Sequence, residues 1–181
     1  MVYNYKEVLN KYGSTYQLGI AITKKEIMKI EEGIYSDKEY SNEIEILTKK
    51  YPNAIFTMNN AFYFYDLTDV IPRKYYLAIQ KNRKKINYPN VEMVYMSNEF
   101  FEVGRVQLDI GNGVIVNCYD KERMLIELIR NRKKIPYDYY KEILNNFRER
   151  AETLEIRKIE EYLNYFKNKN NIFEIIRNEV Y

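Results

Sequence analysis

The feature that most constrains the fold is a change in hydrophobic spacing along the chain. Between about residues 74 and 119, β-branched and aromatic residues form short runs typical of strands, whereas the flanking segments carry apolar residues at helical spacing. The strand-like runs are KYYLAIQ, VEMVYM, VGRVQLDI and GVIVNCY. A Gly-Asn-Gly turn separates the last two and indicates a hairpin. We therefore predict an α+β fold with a small, mostly antiparallel sheet and helices packed on it.

The first 37 residues are predicted to form a minimal winged helix-turn-helix. Two short helical segments meet at Gly13 and Ser14, and EIMKIEEGIYS follows with the spacing of a tiny hairpin. Gly13 suits the left-handed position that ends a helix, and Ser14 or Thr15 suits the N-cap of the next. Two helices across a tight turn, followed by a hairpin that serves as the wing, give the order of a winged helix-turn-helix.

The outward face of the second helix supplies the predicted DNA contacts. Leu18, Ala21 and Ile22 share one stripe and are expected to face inward. Thr15 and Gln17 then face outward, where they would address base edges or nearby phosphates. Three lysines are expected to position the module by phosphate contacts: Lys24, Lys25 and Lys29. Because one short helix gives a small interface, we expect binding as a homodimer or at several operator copies. The alternative is a helical hairpin that serves only folding or pairing.

Residues 38–181 are predicted to form one α+β domain that ends in a helical zone. Asp120 is a natural N-cap for DKERMLIELIRNRKK, and Pro136 marks the start of another helix. In the first of these helices, Met124, Leu125, Leu128 and Ile129 form a single apolar stripe. No Pro/Gly/Ser-rich linker separates this zone from the sheet, so we treat the two as one domain.

Composition excludes several kinds of chemistry. The chain has no histidine, which removes Ser-His and Cys-His nucleophile systems and imidazole bases, and its one cysteine excludes an internal disulfide. That cysteine, Cys118, lies in an apolar run and is expected to be a buried small hydrophobe. No signal peptide and no apolar run of about 18 residues occurs, so we expect a cytoplasmic protein without a membrane partner.

The net charge of +3 does not by itself indicate a polyanionic partner, but two basic runs stand out. They span residues 81–85 and 130–134, and the second ends a helix, where cations complement the helix dipole. Each run alone is typical of a solvated surface. Together they would make a phosphate-contacting surface if they shared one face.

The sequence resembles the AbiEi family of antitoxins from type IV toxin-antitoxin systems of bacterial abortive infection. The resemblance spans roughly residues 5–166 and is most specific in AIFTMNNAFYFYDLTD and YDKERMLIELIRNRKK. It implies an N-terminal winged helix-turn-helix that binds the promoter of its own operon. It also implies a C-terminal domain that counters a nucleotidyltransferase toxin. The winged region here is short, lacking one leading helix, and the segment 58–65 has no histidine where family members often carry one.

We therefore expect a non-enzymatic antitoxin and transcriptional autoregulator without a cofactor. The expected antitoxicity surface consists of Arg130, Arg132, Lys133 and Lys134, which either compete for the toxin's nucleotide or RNA substrate or dock against the toxin. Further basic residues predicted on the outward faces of this zone are Arg148, Arg150, Arg157 and Lys158. Two alternatives remain: a protein-interaction module without DNA binding, and a metal-dependent nuclease. The nuclease would use Asp109, Glu92 and Glu102, which show no recognisable spacing.

Overall fold

A computed structural model describes all residues, 1–181, and the chain divides into two compact units. The N-terminal unit comprises Met1–Ala54 with Asp109–Val116, and the C-terminal unit comprises Ile55–Leu108 with Asn117–Tyr181. The chain contains eight α-helices and two sheets, so the predicted α+β class is confirmed. None of the helices is long and apolar enough to cross a membrane.

Residues 1–54 of the N-terminal unit form three strands and three helices. They are β1 (Val2–Asn4), α1 (Tyr5–Tyr12), α2 (Thr15–Thr23), β2 (Met28–Glu31), β3 (Ile34–Ser36) and α3 (Glu43–Lys50). The sheet has the order β1-β3-β2, and both strand pairs are antiparallel. Helix α3 packs on β1 and β3, so this unit extends past the predicted division at residue 37.

Asn4 ends strand β1 and caps the first helix, which begins at Tyr5. The Asn4 Oδ1 accepts a 3.0 Å hydrogen bond from the Glu7 N–H, and the Asn4 N–H donates over 2.8 Å to Glu7 Oε2. This reciprocal capping box fixes Tyr5 as the first residue of the helix. The residues before it are free to add a third strand to the predicted hairpin, which itself is confirmed.

The turn between the two helices and most of their inner face agree with the prediction. Gly13 has φ +79°, and the Ser14 Oγ accepts a hydrogen bond from the Gln17 N–H at the start of α2. Leu18 and Ala21 are buried as predicted, whereas Ile22 is only partly buried. The core of this helix pair consists of Val8, Leu18, Ala21, Ile27 and Tyr35.

From Ile55 onward the chain forms a second sheet and five helices. The strands are β4 (Ile55–Phe56), β5 (Tyr75–Gln80), β6 (Val91–Met96), β7 (Arg105–Asp109) and β8 (Ile115–Tyr119). The helices are α4 (Met58–Phe64), α5 (Lys121–Asn131), α6 (Tyr137–Glu149), α7 (Ile156–Leu163) and α8 (Lys169–Glu179). All four predicted strand runs form strands, and the glycines and asparagine of the β7–β8 turn have positive φ, as predicted.

The prediction of a mostly antiparallel sheet is wrong, because the sheet is mixed. Its order is β6-β5-β4-β8-β7, and β4 pairs antiparallel with β5 but parallel with β8. Strands β5 and β6 are consecutive and also parallel. The segment 81–90 between them contains no helix, although a connection between parallel strands usually does, and hydrophobic spacing does not reveal such a path.

Helix α5 is more deeply buried than a single apolar stripe predicts. All residues from Glu122 to Ile129 are buried, including Arg123 and Glu127. Met124, Leu125, Leu128 and Ile129 do lie in the core, as expected, but the opposite side of the helix is covered too. Asp120 caps this helix, as predicted, by accepting a 2.9 Å hydrogen bond from the Arg123 N–H.

Candidate functional site

The predicted DNA contacts lie around the exposed side and end of α2. Thr15 and Gln17 occupy the first turn of the helix, Lys24 and Lys25 follow its last residue, and Lys29 lies in β2. All five side chains are exposed, and none of the three lysines forms an ion pair. This region therefore offers uncompensated positive charge beside a solvent-facing helix.

The structure brings only some of these residues together, and it adds one that the sequence interpretation missed. Thr15 and Lys24 line one shallow depression along α2 with Tyr16 and Ile20, whereas Gln17 lies outside it. Tyr16 is 76% exposed and was not predicted as a contact. Its position one residue after Thr15, off the inward stripe of Leu18 and Ala21, was the signal available in the sequence.

A buried polar network on α5 was also missed. The Arg123 Nε donates a 3.0 Å hydrogen bond to Glu127 Oε1, and its Nη1 donates to the carbonyls of Phe100 and Val103 at 2.9 and 3.0 Å. The Arg123 guanidinium also lies 4.7 Å from the centre of the Tyr119 ring. The i, i+4 spacing of Arg123 and Glu127 inside an apolar helix was the available signal. The network fixes the segment before β7 against α5.

Among the residues predicted as the antitoxicity surface, Arg130 is held in place. Its Nη1 donates to Glu127 Oε1 and Oε2 at 2.7 and 2.9 Å, and its guanidinium lies 4.3 Å from the centre of the Phe166 ring. Lys133 and Lys134 are exposed, and Arg132 is half-buried. Glu127 thus accepts from two arginines, which leaves its negative charge compensated within the protein.

The other predicted outward basic residues differ in their availability. Arg148 donates to the Glu179 carbonyl, Arg150 donates to the Tyr65 carbonyl, and Lys158 pairs with Glu155. Arg157 is exposed without an ion pair. These residues therefore do not form one continuous free positive surface.

The run 130–134 lines a cleft in the C-terminal unit, and one member of the other basic run joins it. The cleft encloses about 830 Å³. We call it the basic cleft because its lining includes six cationic residues: Lys81, Arg130, Arg132, Lys133, Lys134 and Lys167. Glu99 is the one acidic residue in the lining. Arg83, Lys84 and Lys85 do not line it, so the two runs share a face through Lys81 alone.

A second depression continues the basic cleft along the edge strand β6. It encloses about 750 Å³ and includes Tyr95 and Glu127. The two depressions share lining residues: Lys81, Ser97, Phe100, Arg130, Asn131 and Lys134. They therefore form one extended trough with its positive charge concentrated at the α5 end.

Asp120 connects α5 to α7 through a buried carboxylate. Its Oδ2 accepts a 2.8 Å hydrogen bond from the Tyr162 hydroxyl. Burial raises the pKa of Asp120 above its ordinary value, although the hydrogen bonds from the Arg123 N–H and Tyr162 oppose that change. Burial, together with the hydrogen bond to Asp120, raises the pKa of Tyr162.

The carboxylates considered for a nuclease each have a separate partner. Glu92 pairs with Lys74 at 2.8 Å, Glu102 pairs with Arg105 at 3.0 Å, and Asp109 accepts a 2.8 Å hydrogen bond from the Gly111 N–H. No group of three or more Asp, Glu, Cys or His side chains is placed to hold a metal ion. Cys118 is buried, as predicted, and burial raises the pKa of its thiol.

Comparison with known proteins gives no relative from which a role can be carried over. No protein-family model and no curated protein matches this chain.

Proposed function

We propose that this protein is the antitoxin and transcriptional autoregulator of a type IV toxin-antitoxin operon. It acts without catalysis, binds the promoter DNA of its own operon and counters a nucleotidyltransferase toxin. The observation that carries the DNA-binding part is the order strand, helix, glycine turn, helix and hairpin in the N-terminal unit, with free lysines beside the second helix. The toxin as a partner comes from the resemblance to AbiEi antitoxins.

The N-terminal unit has the parts that a minimal winged helix-turn-helix needs. Helix α2 is held by the burial of Leu18 and Ala21, so its other side is presented rigidly to solvent. Strand β1 supplies a third strand beside the hairpin, which gives the wing a supported base although no helix precedes it. A recognition helix with one anchored face and one exposed face is the arrangement that reads a major groove.

The polar and charged side chains around α2 divide into those that would read bases and those that would position the module. Thr15 and Gln17 carry short polar groups in the first turn of the helix, the part that contacts base edges in helix-turn-helix proteins. Lys24, Lys25 and Lys29 are exposed and unpaired, so they are available to phosphates. Because α2 is only nine residues long, the interface of one copy is small, and a homodimer or several adjacent operator copies would supply the remaining affinity.

Promoter binding is tested with the full chain and a labelled duplex that contains the DNA upstream of its own operon. We expect Lys24→Glu with Lys25→Glu to weaken binding at least ~100-fold, because two phosphate contacts become repulsive. The matched control is Lys84→Glu with Lys85→Glu, which makes the same charge change at exposed positions of the C-terminal unit. If the two double variants bind the duplex equally, the N-terminal unit is not the DNA-binding module.

Antitoxicity is tested by co-expression of the full-length protein with the neighbouring nucleotidyltransferase. We expect growth to be rescued. If growth is not rescued although both proteins are folded and expressed, the antitoxin part of the proposal fails and the regulator part stands on the duplex measurement.

A further inference from the structure

We propose that the basic cleft of the C-terminal unit binds a single strand of nucleic acid, as a site separate from the duplex-binding surface of α2. This inference does not depend on promoter binding, because it concerns other residues and another form of nucleic acid.

The charge of the cleft exceeds what the end of α5 explains. Cations after the last turn of a helix complement its dipole, which accounts for Arg130, Arg132 and Lys133. Lys81 follows β5, and Lys167 lies between α7 and α8, so neither belongs to that helix end. Their convergence on one cleft, with Glu99 as its only acidic lining residue, concentrates positive charge from three parts of the chain. Phosphates of a nucleic acid compensate such a concentration.

Two features position donors in the cleft before a ligand arrives. Arg130 uses only its Nη1 to bind Glu127, so Nε and Nη2 remain available as donors on a side chain that Phe166 and Glu127 hold in place. The 11-residue helix α8 begins beside the cleft, where its N-cap residue Asn168 lines the wall and makes no side-chain capping hydrogen bond. Main-chain N–H groups at a helix start suit a phosphate oxygen and add to the lysine charges.

Exposed tyrosines distinguish a nucleic-acid strand from a simple anion. Tyr165 lines the basic cleft and is 49% exposed, and Tyr95 lines the adjoining depression and is 48% exposed. A positively charged groove with aromatic rings along it is the arrangement on which successive unpaired bases stack. In a duplex the bases are already stacked on each other, so only a single strand uses these rings.

The size of the trough fits more than one nucleotide. Its two depressions, of about 750 and 830 Å³, are each as large as a typical small-ligand pocket, and they are continuous through shared lining residues. A strand that runs from Lys167 towards β6 would place its phosphates near Arg130 and Lys134 and a base near each tyrosine.

The test measures fluorescence anisotropy of labelled oligo(U) and oligo(dT) of about ten nucleotides with the full chain, between about 50 and 200 mM salt. Binding should weaken steeply as salt rises. Lys133→Glu with Lys134→Glu should weaken it at least ~10-fold and lower the salt slope by about 1.4, as the loss of two single-strand phosphate contacts requires. Lys84→Glu with Lys85→Glu is the charge-matched control, and Lys24→Glu with Lys25→Glu should leave oligonucleotide binding unchanged.

Stacking is tested at Tyr165. Tyr165→Ala should weaken oligonucleotide binding by ~5-fold to ~150-fold, whereas Tyr165→Phe should retain it because the ring remains. Tighter binding of oligo(U) would identify RNA as the ligand, and equal binding would identify a strand of either sugar. The proposal is wrong if neither oligonucleotide binds at the lowest salt, or if the Lys133 and Lys134 reversals act no more strongly than the control. It is also wrong if inorganic polyphosphate competes as well as the oligonucleotide and Tyr165→Ala binds like the unmodified protein, because the cleft would then recognise phosphate charge alone.

Discussion

At the scale of single residues, a comparison of Gly104 with Gly33 distinguishes the cost of backbone strain from the cost of steric crowding. Both have φ +76°, but a Cβ on Gly104 would lie 2.6 Å from the Arg123 Cβ and 2.9 Å from Asp120 Oδ1, whereas a Cβ on Gly33 meets nothing within 4 Å. We expect Gly33→Ala to lower the free energy of unfolding by about 1–2 kcal/mol through strain alone. Gly104→Ala should lower it by about 2–5 kcal/mol because overpacking adds to the strain.

Urea unfolding of the two alanine variants and the unmodified protein measures this difference. Equal losses for the two variants would show that the close contact of Gly104 with the start of α5 is not maintained in solution.

The pKa of Asp120 should depend on the hydrogen bond that its carboxylate accepts from Tyr162. That bond favours the charged form, so Tyr162→Phe should raise the pKa of Asp120 further above its ordinary value. A pKa that is higher in the folded than in the unfolded chain gives stability that is present below the unfolded pKa and lost as pH rises through the folded pKa. The variant should therefore gain more stability on acidification through that window than the unmodified protein does.

Carbon-13 NMR titration of the Asp120 carboxyl measures the pKa, and urea unfolding at several pH values measures the stability. Tyr165→Phe is the control, since Tyr165 is not a hydrogen-bonding partner of Asp120. A pKa of Asp120 that Tyr162→Phe leaves unchanged or lowers would contradict the assigned bond.

At the scale of secondary-structure elements, the start of α1 depends on the capping box of Asn4. Asn4→Ala removes the acceptor for the Glu7 N–H and should lower the free energy of unfolding by about 1–2 kcal/mol. Asn4→Asp keeps an oxygen acceptor at the same place, now a carboxylate, and should stay within about 0.5 kcal/mol of the unmodified protein. Urea unfolding compares the two, and similar losses for both would show that the cap does not stabilise α1.

Several elements were predictable because local chemistry decides them. Gly13 and Ser14 mark the turn between α1 and α2 correctly, because positive φ and N-capping depend on neighbouring residues alone. Strand β1 was not predictable in this way, since a three-residue strand exists only through its pairing with β3. The parallel pairing of β5 with β6 is likewise set by long-range contacts, and the strand pattern of a half-buried sequence is the same for either direction.

At the scale of the whole molecule, the candidate sites were only partly visible in the sequence. The run 130–134 was visible as charge, but its meeting with Lys81 and Lys167 depends on where β5 and the α7–α8 turn end. The buried pair of Arg123 and Glu127 was likewise only partly predictable from the sequence. Spacing places the two on one side of α5, but only tertiary packing determines that this side is covered.

The two units should carry separable activities, since each candidate surface lies wholly within one unit. Lys24→Glu with Lys25→Glu should abolish repression of the operon's promoter in a reporter assay, yet still rescue growth against the toxin when expressed from an unrelated promoter. Lys133→Glu with Lys134→Glu should repress normally and fail to rescue growth. All four lysines are exposed and form no ion pair, so these changes should leave the melting temperature within about 2 °C of the unmodified protein.

Lys84→Glu with Lys85→Glu, which should retain both activities, controls for the overall change of charge. The expected separation rests on the proposal that promoter binding uses the exposed side of α2 and that antitoxicity uses the basic cleft, two surfaces that lie in different units. If both double variants at the proposed sites lose both activities while remaining folded, repression and antitoxicity use one shared surface, and the division of roles between the two units is wrong. If the Lys133 and Lys134 reversals still rescue growth, the basic cleft serves a ligand unrelated to the toxin.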